Sequence, residues 1–270
     1  MEPCLQHTVA DGIATVVIRH PAKRNALTPG MWRALPPLLE RLAADPAVRA
    51  LVLTGAGDTF SAGADISSLG TTYEETTALA LPAEEALAGF PKPTLAAVRG
   101  SCVGGGCQLA VACDLRFAEQ GSRFGITAAR LGVVYAPSST RRLVDLVGPA
   151  TAKYLLLSGE LIGTERALRT GLVDEVLPPG GLDERVAEFT RVLLSRSALS
   201  QAAVKEFTAG PVDPARLEYW RDQLSVSGEL GEGVTAFLER RAPRFGWTPP
   251  VRSDHRPAVA GPSSPAEYSQ

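Results

Sequence analysis

The sequence predicts an α/β fold, a layer of short strands and helices followed by a C-terminal region that is almost wholly helical. Three observations predict it: an opening strand pair joined at Asp11-Gly12, apolar strands alternating with helical stretches as far as GLVDEVLP, and helical periodicity from Gly181 onward. The first segment, HTVADGIATVVIRH, forms a hairpin because Asp-Gly tolerates the positive φ angles of a tight turn. Thr28 offers an N-cap oxygen and Pro29 suits the first helical position. MWRALPPLLERLAAD therefore starts as a helix, with Pro36 and Pro37 expected to distort its middle. A strand follows at Ala50 to Thr54, then a Gly-rich loop, a helical stretch near Glu74 to Ala88, and a short strand from Thr94 to Val98. Past Gly100, the small residues of GGGCQLAVACD predict a buried helix. Short strands and helices alternate beyond Leu115, including TERALRTG, which Thr164 is expected to cap. From Gly181, Val186, Phe189, Val192 and Leu193 draw an apolar stripe, with Phe237 and Leu238 further on. Residues 1–190 are expected to form the core, 191–247 a helical region, and 248–270, rich in Pro, Ser and Ala, a disordered tail.

A chain of 270 residues with 45% hydrophobic content can bury one large core. A formal charge of −2 and a pI near 6.0 leave no electrostatic footprint for nucleic acid, and no cationic run suggests a membrane surface. No stretch reaches the roughly 18 apolar residues of a membrane span, and MEPCLQHTVADG lacks the charged and apolar regions of a signal peptide. A small-molecule substrate and a cytoplasmic location are the expectation. Cys4, Cys102, Cys107 and Cys113 fit reduced, packed thiols; their spacing is not that of a zinc knuckle and no histidine is near. His7, His20 and His255 are scattered, with neither HExxH nor GxSxG, so no metal is expected and triad chemistry is disfavoured.

Two segments carry the chemistry. Phe60-Ser-Ala-Gly-Ala-Asp-Ile66 follows the strand at Ala50, and Gly104-Gly-Gly-Cys-Gln108 opens the buried helix. An amide at a helix N-terminus has no intrahelical acceptor and sits where the helix dipole favours negative charge, so Gly105 can polarise a carbonyl oxygen. A second amide, from Ala64, completes a pair. Two donors aimed at one oxygen are what enolate formation from a thioester needs. Close packing explains such glycines equally well. Neither GxGxxG nor GxxxxGK[ST] is present, which removes the dinucleotide and P-loop readings.

The ordered series HPAKRNALTPGMW, FSAGADI, KPTLAAVRGSCVGGGCQLAVACDLRFA, SRFGITAARLG, GLVDEVLP and FLERRAPRF resembles the crotonase (enoyl-CoA hydratase/isomerase) superfamily from about residue 5 to 246. The resemblance implies a spiral of repeated ββα units, then a helical trimerisation region, assembling as a homotrimer or dimer of trimers on an acyl-CoA thioester. Coenzyme A enters as part of the substrate and no separate cofactor is implied. By motif position, Ala64 and Gly105 resemble the two oxyanion-hole residues. Ala62, Asp65 and Ile66 fall where the family's backbone meets the CoA adenine. Lys23 and Arg24 lie beside the segment that approaches the CoA phosphates, and Arg240 holds the C-terminal basic position. For these cations a solvated surface role is the competing reading.

The family's hydratases carry a glutamate in each of the GGGCE and FGxPE segments; this chain has Gln108 and Ala128, neither of which exchanges a proton near neutral pH. The segment LGVVYAP, with Tyr135, resembles the LGVxY segment of methylmalonyl-CoA decarboxylases. Decarboxylation of a malonyl- or methylmalonyl-type thioester then leads: it needs no base, a neutral Gln108 could donate to the departing carboxylate, and Tyr135 could reprotonate the enolate. Packing in the pocket wall is the competing role for Tyr135. An enoyl-CoA hydratase or isomerase with unorthodox groups and a silent acyl-CoA binder remain as alternatives. Asp114 is assigned to structure, paired with nearby backbone or Arg116, and the stretch from Thr71 to Ala88 shows no diagnostic pattern.

Overall fold

The computed structural model describes residues 2–68 and 73–249. The expected tail therefore lies, from residue 250 on, outside the described residues, as does the start of the Thr71–Ala88 stretch. Strands β1 (Cys4–Ala10) and β2 (Ile13–Arg19) form the expected antiparallel hairpin, turning at Asp11 (φ 47°) and Gly12 (φ 80°). Helix α1 (Pro29–Ala44) begins at Thr28, whose side chain accepts from the Met31 amide at 3.3 Å. Pro36 and Pro37 do not break it: α1 is one helix. Met31, Trp32, Leu35, Leu38, Leu39 and Leu42 are all buried along it, and this packing outweighs the two missing backbone donors.

Next come β3 (Ala50–Gly55), α2 (Tyr73–Ala88), β4 (Thr94–Val98), β5 (Ser101–Val103), α3 (Gly105–Ala112), β6 (Leu115–Glu119) and β7 (Arg123–Gly125). Helix α4 (Pro137–Ser158) is interrupted at Gly148, whose φ of 75° and ψ of 161° are not helical. Then follow β8 (Ile162–Gly163), α5 (Thr164–Arg169) and β9 (Glu175–Leu177). Gly163, arriving extended from β8, is the N-cap of α5, so Thr164 is its first helical residue rather than its cap. The larger sheet runs β1-β2-β3-β4-β6-β9, parallel from β2 onward; the smaller runs β5-β7-β8. The order in which parallel strands are added, each after a helical crossover, is the αβ layering that the sequence periodicity implies.

The main core lies between the larger sheet and α1, α2, α3 and α4, and a second apolar cluster covers the sheet's other face. There α6 (Leu182–Leu194) lays Leu182, Val186 and Phe189 against Val52, Leu95, Ala97 and Phe117, the two phenyl rings 5.1 Å apart and edge-on. Residue 190 falls inside this sheet-packed helix. Beyond it are α7 (Ala198–Thr208), α8 (Pro214–Ser227) and α9 (Glu229–Leu238). Asp114 has the expected structural role, pairing with backbone and, beyond what was expected, with Lys205. Its Oδ2 accepts from the Thr94 amide at 2.7 Å and its Oδ1 pairs with Lys205 at 2.6 Å, tying α7 to the sheet. Arg116 reaches only the Asp114 backbone and takes Asp174 as its carboxylate, because its guanidinium points inward and is 3% exposed. Cys102, Cys107 and Cys113 are buried free thiols, and burial pushes Cys113 up to about 12. No helix among the described residues is long and apolar enough to cross a membrane.

Candidate active site

The two glycine-containing segments meet edge to edge. Ser61 bridges to Cys102 and Ala64 to Leu27, both in parallel fashion, so FSAGADI is clamped between the chain ahead of α1 and β5. The Leu27 amide donates to Gly63 O at 2.7 Å, Asp65 donates to Leu27 O at 2.9 Å, and Val103 donates to Ser61 O at 3.0 Å. Asn25, buried and left-handed at φ 57°, braces the arrangement from behind through Ala56 O and Thr59 O. Gly104 caps α3 at φ 53°, ψ −122°, a conformation an L side chain resists. A Cβ on Gly105 would lie 3.5 Å from the Ala64 nitrogen and 2.8 Å from Cζ2 of Trp32. Among the described residues, neither the Ala64 nor the Gly105 amide is taken up by an acceptor. The geometry thus presents two neighbouring, partly exposed N–H groups, one at a helix N-terminus, and such a pair can hold a developing oxyanion.

Behind the first turn of α3 lies a buried polar cluster. Gln108, on that turn, donates from Nε2 to Glu84 Oε2 at 2.5 Å and to Ser139 Oγ at 3.1 Å. A carboxylate only accepts, so the nitrogen of the amide must face Glu84. Ser139 Oγ donates to the same Glu84 oxygen, and Arg142 pairs with Oε1. Glu84 is 1% exposed and Ser139 equally so. Tyr135 packs against the core beside them. Burial pushes its phenol well above the ordinary value, the Glu84 carboxylate adds to the rise, and Arg142 and the facing Ser139 hydroxyl pull the other way. Ala128, in a single turn of 3-10 helix (Ala128–Leu131), brings no titratable group.

Glu84 is the functional candidate that the sequence reading missed. It sits on α2, which reads as ordinary amphipathic helix, and 24 residues separate it from Gln108. One signal was available. Ala80, Ala83, Glu84 and Leu87 fall on one i, i+3, i+4, i+7 stripe, which places a carboxylate on the core face.

The remaining sequence candidates divide. Lys23 Nζ sits 2.8 Å from both Asp65 oxygens and 2.7 Å from Ser67 Oγ, so it is engaged with the loop that carries Ala62 and Ala64. Burial pushes the Asp65 carboxyl up, but hydrogen bonds from Lys23 and Ser67 outweigh it and leave the group below its ordinary value. Ala62 donates its amide to Arg24 O at 2.9 Å, and Ile66 is 64% exposed at the rim. Arg24, left-handed at φ 49°, lines a surface cleft of ≈ 310 Å³ with Arg19 and Asp58. Arg240 lies just past α9, whose packing is against α8; among the described residues no hydrogen bond or ion pair joins it to the Lys23–Ile66 group.

The sequence model of the enoyl-CoA hydratase/isomerase family matches residues 8–248. A crotonyl-CoA hydratase of Syntrophomonas wolfei is 34% identical, the match covering 86% of this chain and 94% of that one. An (E)-benzylidenesuccinyl-CoA hydratase of Thauera aromatica is 33% identical over 88% and 96%. Among solved structures, an enoyl-CoA hydratase/isomerase family member superposes with a TM-score of 0.88 at 38% identity, covering 93% of this chain and 99% of that one. The chain belongs to the enoyl-CoA hydratase/isomerase family, the crotonase superfamily, and has its fold.

Proposed function

We propose that the chain is an enoyl-CoA hydratase using unorthodox proton-transfer groups, a lyase that adds water to the C2=C3 bond of an acyl-CoA thioester. The observation that carries this reading is the pair of unengaged amides at Ala64 and Gly105, shaped for the thioester oxygen of an enolate. The names of the relatives, hydratases acting on crotonyl- and benzylidenesuccinyl-CoA, support it. Decarboxylation, which leads from sequence, loses its main argument. Both Nε2 hydrogens of Gln108 are committed, to Glu84 and Ser139, so the amide has none left for a departing carboxylate.

In the proposed complex, backbone at Ala62, Asp65 and Ile66 meets the adenine, and Lys23, Arg24 and Arg240 serve the phosphates, Arg240 reaching a CoA once copies assemble. Assembly as a homotrimer or dimer of trimers is supported by the apolar side chains that α8 and α9 leave bare, Val226, Leu230, Val234, Phe237 and Leu238. The test is incubation with a panel of enoyl-, malonyl-, methylmalonyl- and aryl-CoA esters, with products read by mass spectrometry. Addition of 18 mass units to an enoyl ester is the expected result, the mass of one water molecule by stoichiometry. Loss of carbon dioxide from a malonyl ester with no hydration would restore the decarboxylase reading, and tight binding without turnover would make the chain a silent acyl-CoA binder.

A further inference from the structure

We propose that Gln108 presents its Oε1 to the acyl chain as an acceptor-only group, held in that orientation by Glu84, so that the site selects acyl chains with a hydroxyl donor at C3 and disfavours a carboxylate there. The inference deepens the hydratase reading, since a 3-hydroxyacyl ester is what water addition yields. It rests on that reading only for the thioester being held by the two amides. Gln108 is then a specificity-determining residue and Glu84 a positioning residue behind it.

The hydrogen bonds decide which end of the amide faces out. Nε2 has two hydrogens, and both are taken, by Glu84 Oε2 at 2.5 Å and by Ser139 Oγ at 3.1 Å. Ser139 gives its own hydroxyl hydrogen to Oε2, and the Arg142 guanidinium, which only donates, holds Oε1. Every partner of Glu84 among the described residues is thus a donor, and turning the Gln108 amide over would set its oxygen against a carboxylate. Oε1 of Gln108 has no such commitment. Among the described residues no donor reaches it, and the enclosed side-chain polar atoms that lack a partner are Trp32 Nε1 and Trp220 Nε1, so this oxygen is open to solvent.

Helix geometry decides where it opens. Gln108 closes the first turn of α3, its backbone amide donating to Gly104 O at 2.9 Å. It lies three residues past Gly105, on the same face of the helix and about 4.5 Å further along the axis. Side chains on a helix lean toward its N-terminus, so Gln108 leans back toward the amide that would hold the thioester oxygen. C2 and C3 of the acyl chain, one and two bonds from that carbonyl, are the atoms this brings beside Oε1. The oxygen offers lone pairs and no hydrogen. A water or a C3 hydroxyl donates to it, a methyl leaves it unpaired, and a carboxylate sets acceptor against acceptor.

Glu84 controls the orientation. A glutamine in its place would keep an oxygen for Arg142 and turn an NH2 toward Gln108. The Gln108 amide would then rotate, accept from that NH2, and leave its own hydrogens facing the acyl chain. Arg142 would retain Glu85, at 3.2 Å, as its carboxylate.

The test titrates the full-length protein by calorimetry with propionyl-, 3-hydroxypropionyl- and malonyl-CoA, which carry a methyl, a hydroxymethyl and a carboxylate on one skeleton; mass spectrometry checks each ester afterwards. The wild type is expected to bind the hydroxy ester about 5-fold more tightly than propionyl-CoA, and malonyl-CoA about 10-fold less tightly. Glu84→Gln should improve malonyl-CoA by about 10-fold relative to propionyl-CoA, while the hydroxy ester, able to accept as well as donate, keeps its advantage. Glu84→Gln made in a Gln108→Met background has the same loss of charge and no amide to turn over, so there the malonyl ratio should move by less than about 3-fold. Gln108→Met alone should bring the hydroxy and plain esters within about 2-fold of each other, and this variant decides where Glu84→Gln fails to fold. An unselective wild type would overturn the acceptor face, and an equal malonyl shift in both backgrounds would overturn the hold that Glu84 has on it. Crotonyl-CoA hydration is followed in parallel. Selectivity without hydration keeps the acceptor face and removes the hydratase reading; hydration without selectivity removes the acceptor face alone; a folded wild type that neither binds nor hydrates any ester removes both.

Discussion

Substituting Gly105 by alanine tests the amide pair with the smallest available perturbation. The added Cβ would stand 2.8 Å from Cζ2 and 3.2 Å from Cη2 of Trp32, where ordinary contact begins at 3.4 Å, so something must yield by about 0.6 Å. Trp32 has little room to give. It is 1% exposed and held in α1 among Met31, Leu35 and Leu39. The first turn of α3 is therefore the part that shifts, and it carries the Gly105 amide. A donor poised near 2.9 Å and displaced by about 0.6 Å reaches the limit of hydrogen bonding, so most of that donor's contribution is lost. Removing one oxyanion donor costs on the order of 100- to 1000-fold in rate, or about 3–4 kcal/mol of transition-state stabilisation. The overpacking itself should cost about 1–3 kcal/mol of stability, which for a chain of this size lowers Tm by several degrees, about 2–4 °C per kcal/mol. Steady-state kinetics on whichever CoA ester the wild type turns over, with circular dichroism and a thermal melt, separates the two effects. A folded Gly105→Ala enzyme within about 3-fold of wild-type kcat would refute the reasoning and remove the amide from the site.

Four further outcomes are expected. Arg116→Met should destabilise the fold by about 1–3 kcal/mol for each acceptor it strands, read by urea or thermal melting, because the Leu172 and Cys113 carbonyls lose their guanidinium donor, while Asp174, about a third exposed, keeps the residue-116 backbone amide. Asp65→Asn should lower stability at neutral pH but not in acid. A carboxyl held below its ordinary 3.8 contributes stability above that value and loses it as pH falls through the lower folded value, so the wild-type and variant melts should converge there. Gln108→Glu sets a second carboxylate against Glu84, and the pair must share a proton; its Tm deficit should widen as pH rises from about 5 to about 8, and a constant deficit would contradict the contact. Phe237→Glu, at an 82% exposed apolar position on α9, should give monomers by light scattering where the wild type assembles, and an unchanged mass would place the interface elsewhere.

The elements that carry the amide pair were readable because backbone rules are local. Asp11-Gly12 dictates a turn, Thr28-Pro29 a helix start, and a glycine run ahead of small apolar residues a helix N-terminus packed against its neighbour. The proline pair is carried within one helix for the converse reason: propensity is local, while the six buried side chains that anchor α1 find their partners elsewhere in the chain. The buried polar cluster was legible only in part. Gln108 and Tyr135 stand at motif positions, but Glu84, Ser139 and Arg142 join them through contacts spanning 24 to 58 residues of sequence. An acidic pair in a helix ordinarily marks a wet face. Here Glu85 does face outward, while Glu84, one step around the helix, is sealed in. Asp114 shows the same limit, since Lys205 lies 91 positions away.

The clamping of FSAGADI between Leu27 and Cys102 has a consequence for how such an enzyme can diverge. The groups that would hold the thioester oxygen belong to the main chain, and the bonds that aim them are main-chain bonds or run through Asn25 and Ser61, away from the reacting carbon. Side chains around the α-carbon are under no such constraint. They can be exchanged one at a time without loosening the hold on the oxygen, and a lineage can lose a carboxylate at one address and regain it at another while every intermediate still binds and polarises its ester. The hold on the oxygen and the side chains around the reacting carbon can then change independently of one another.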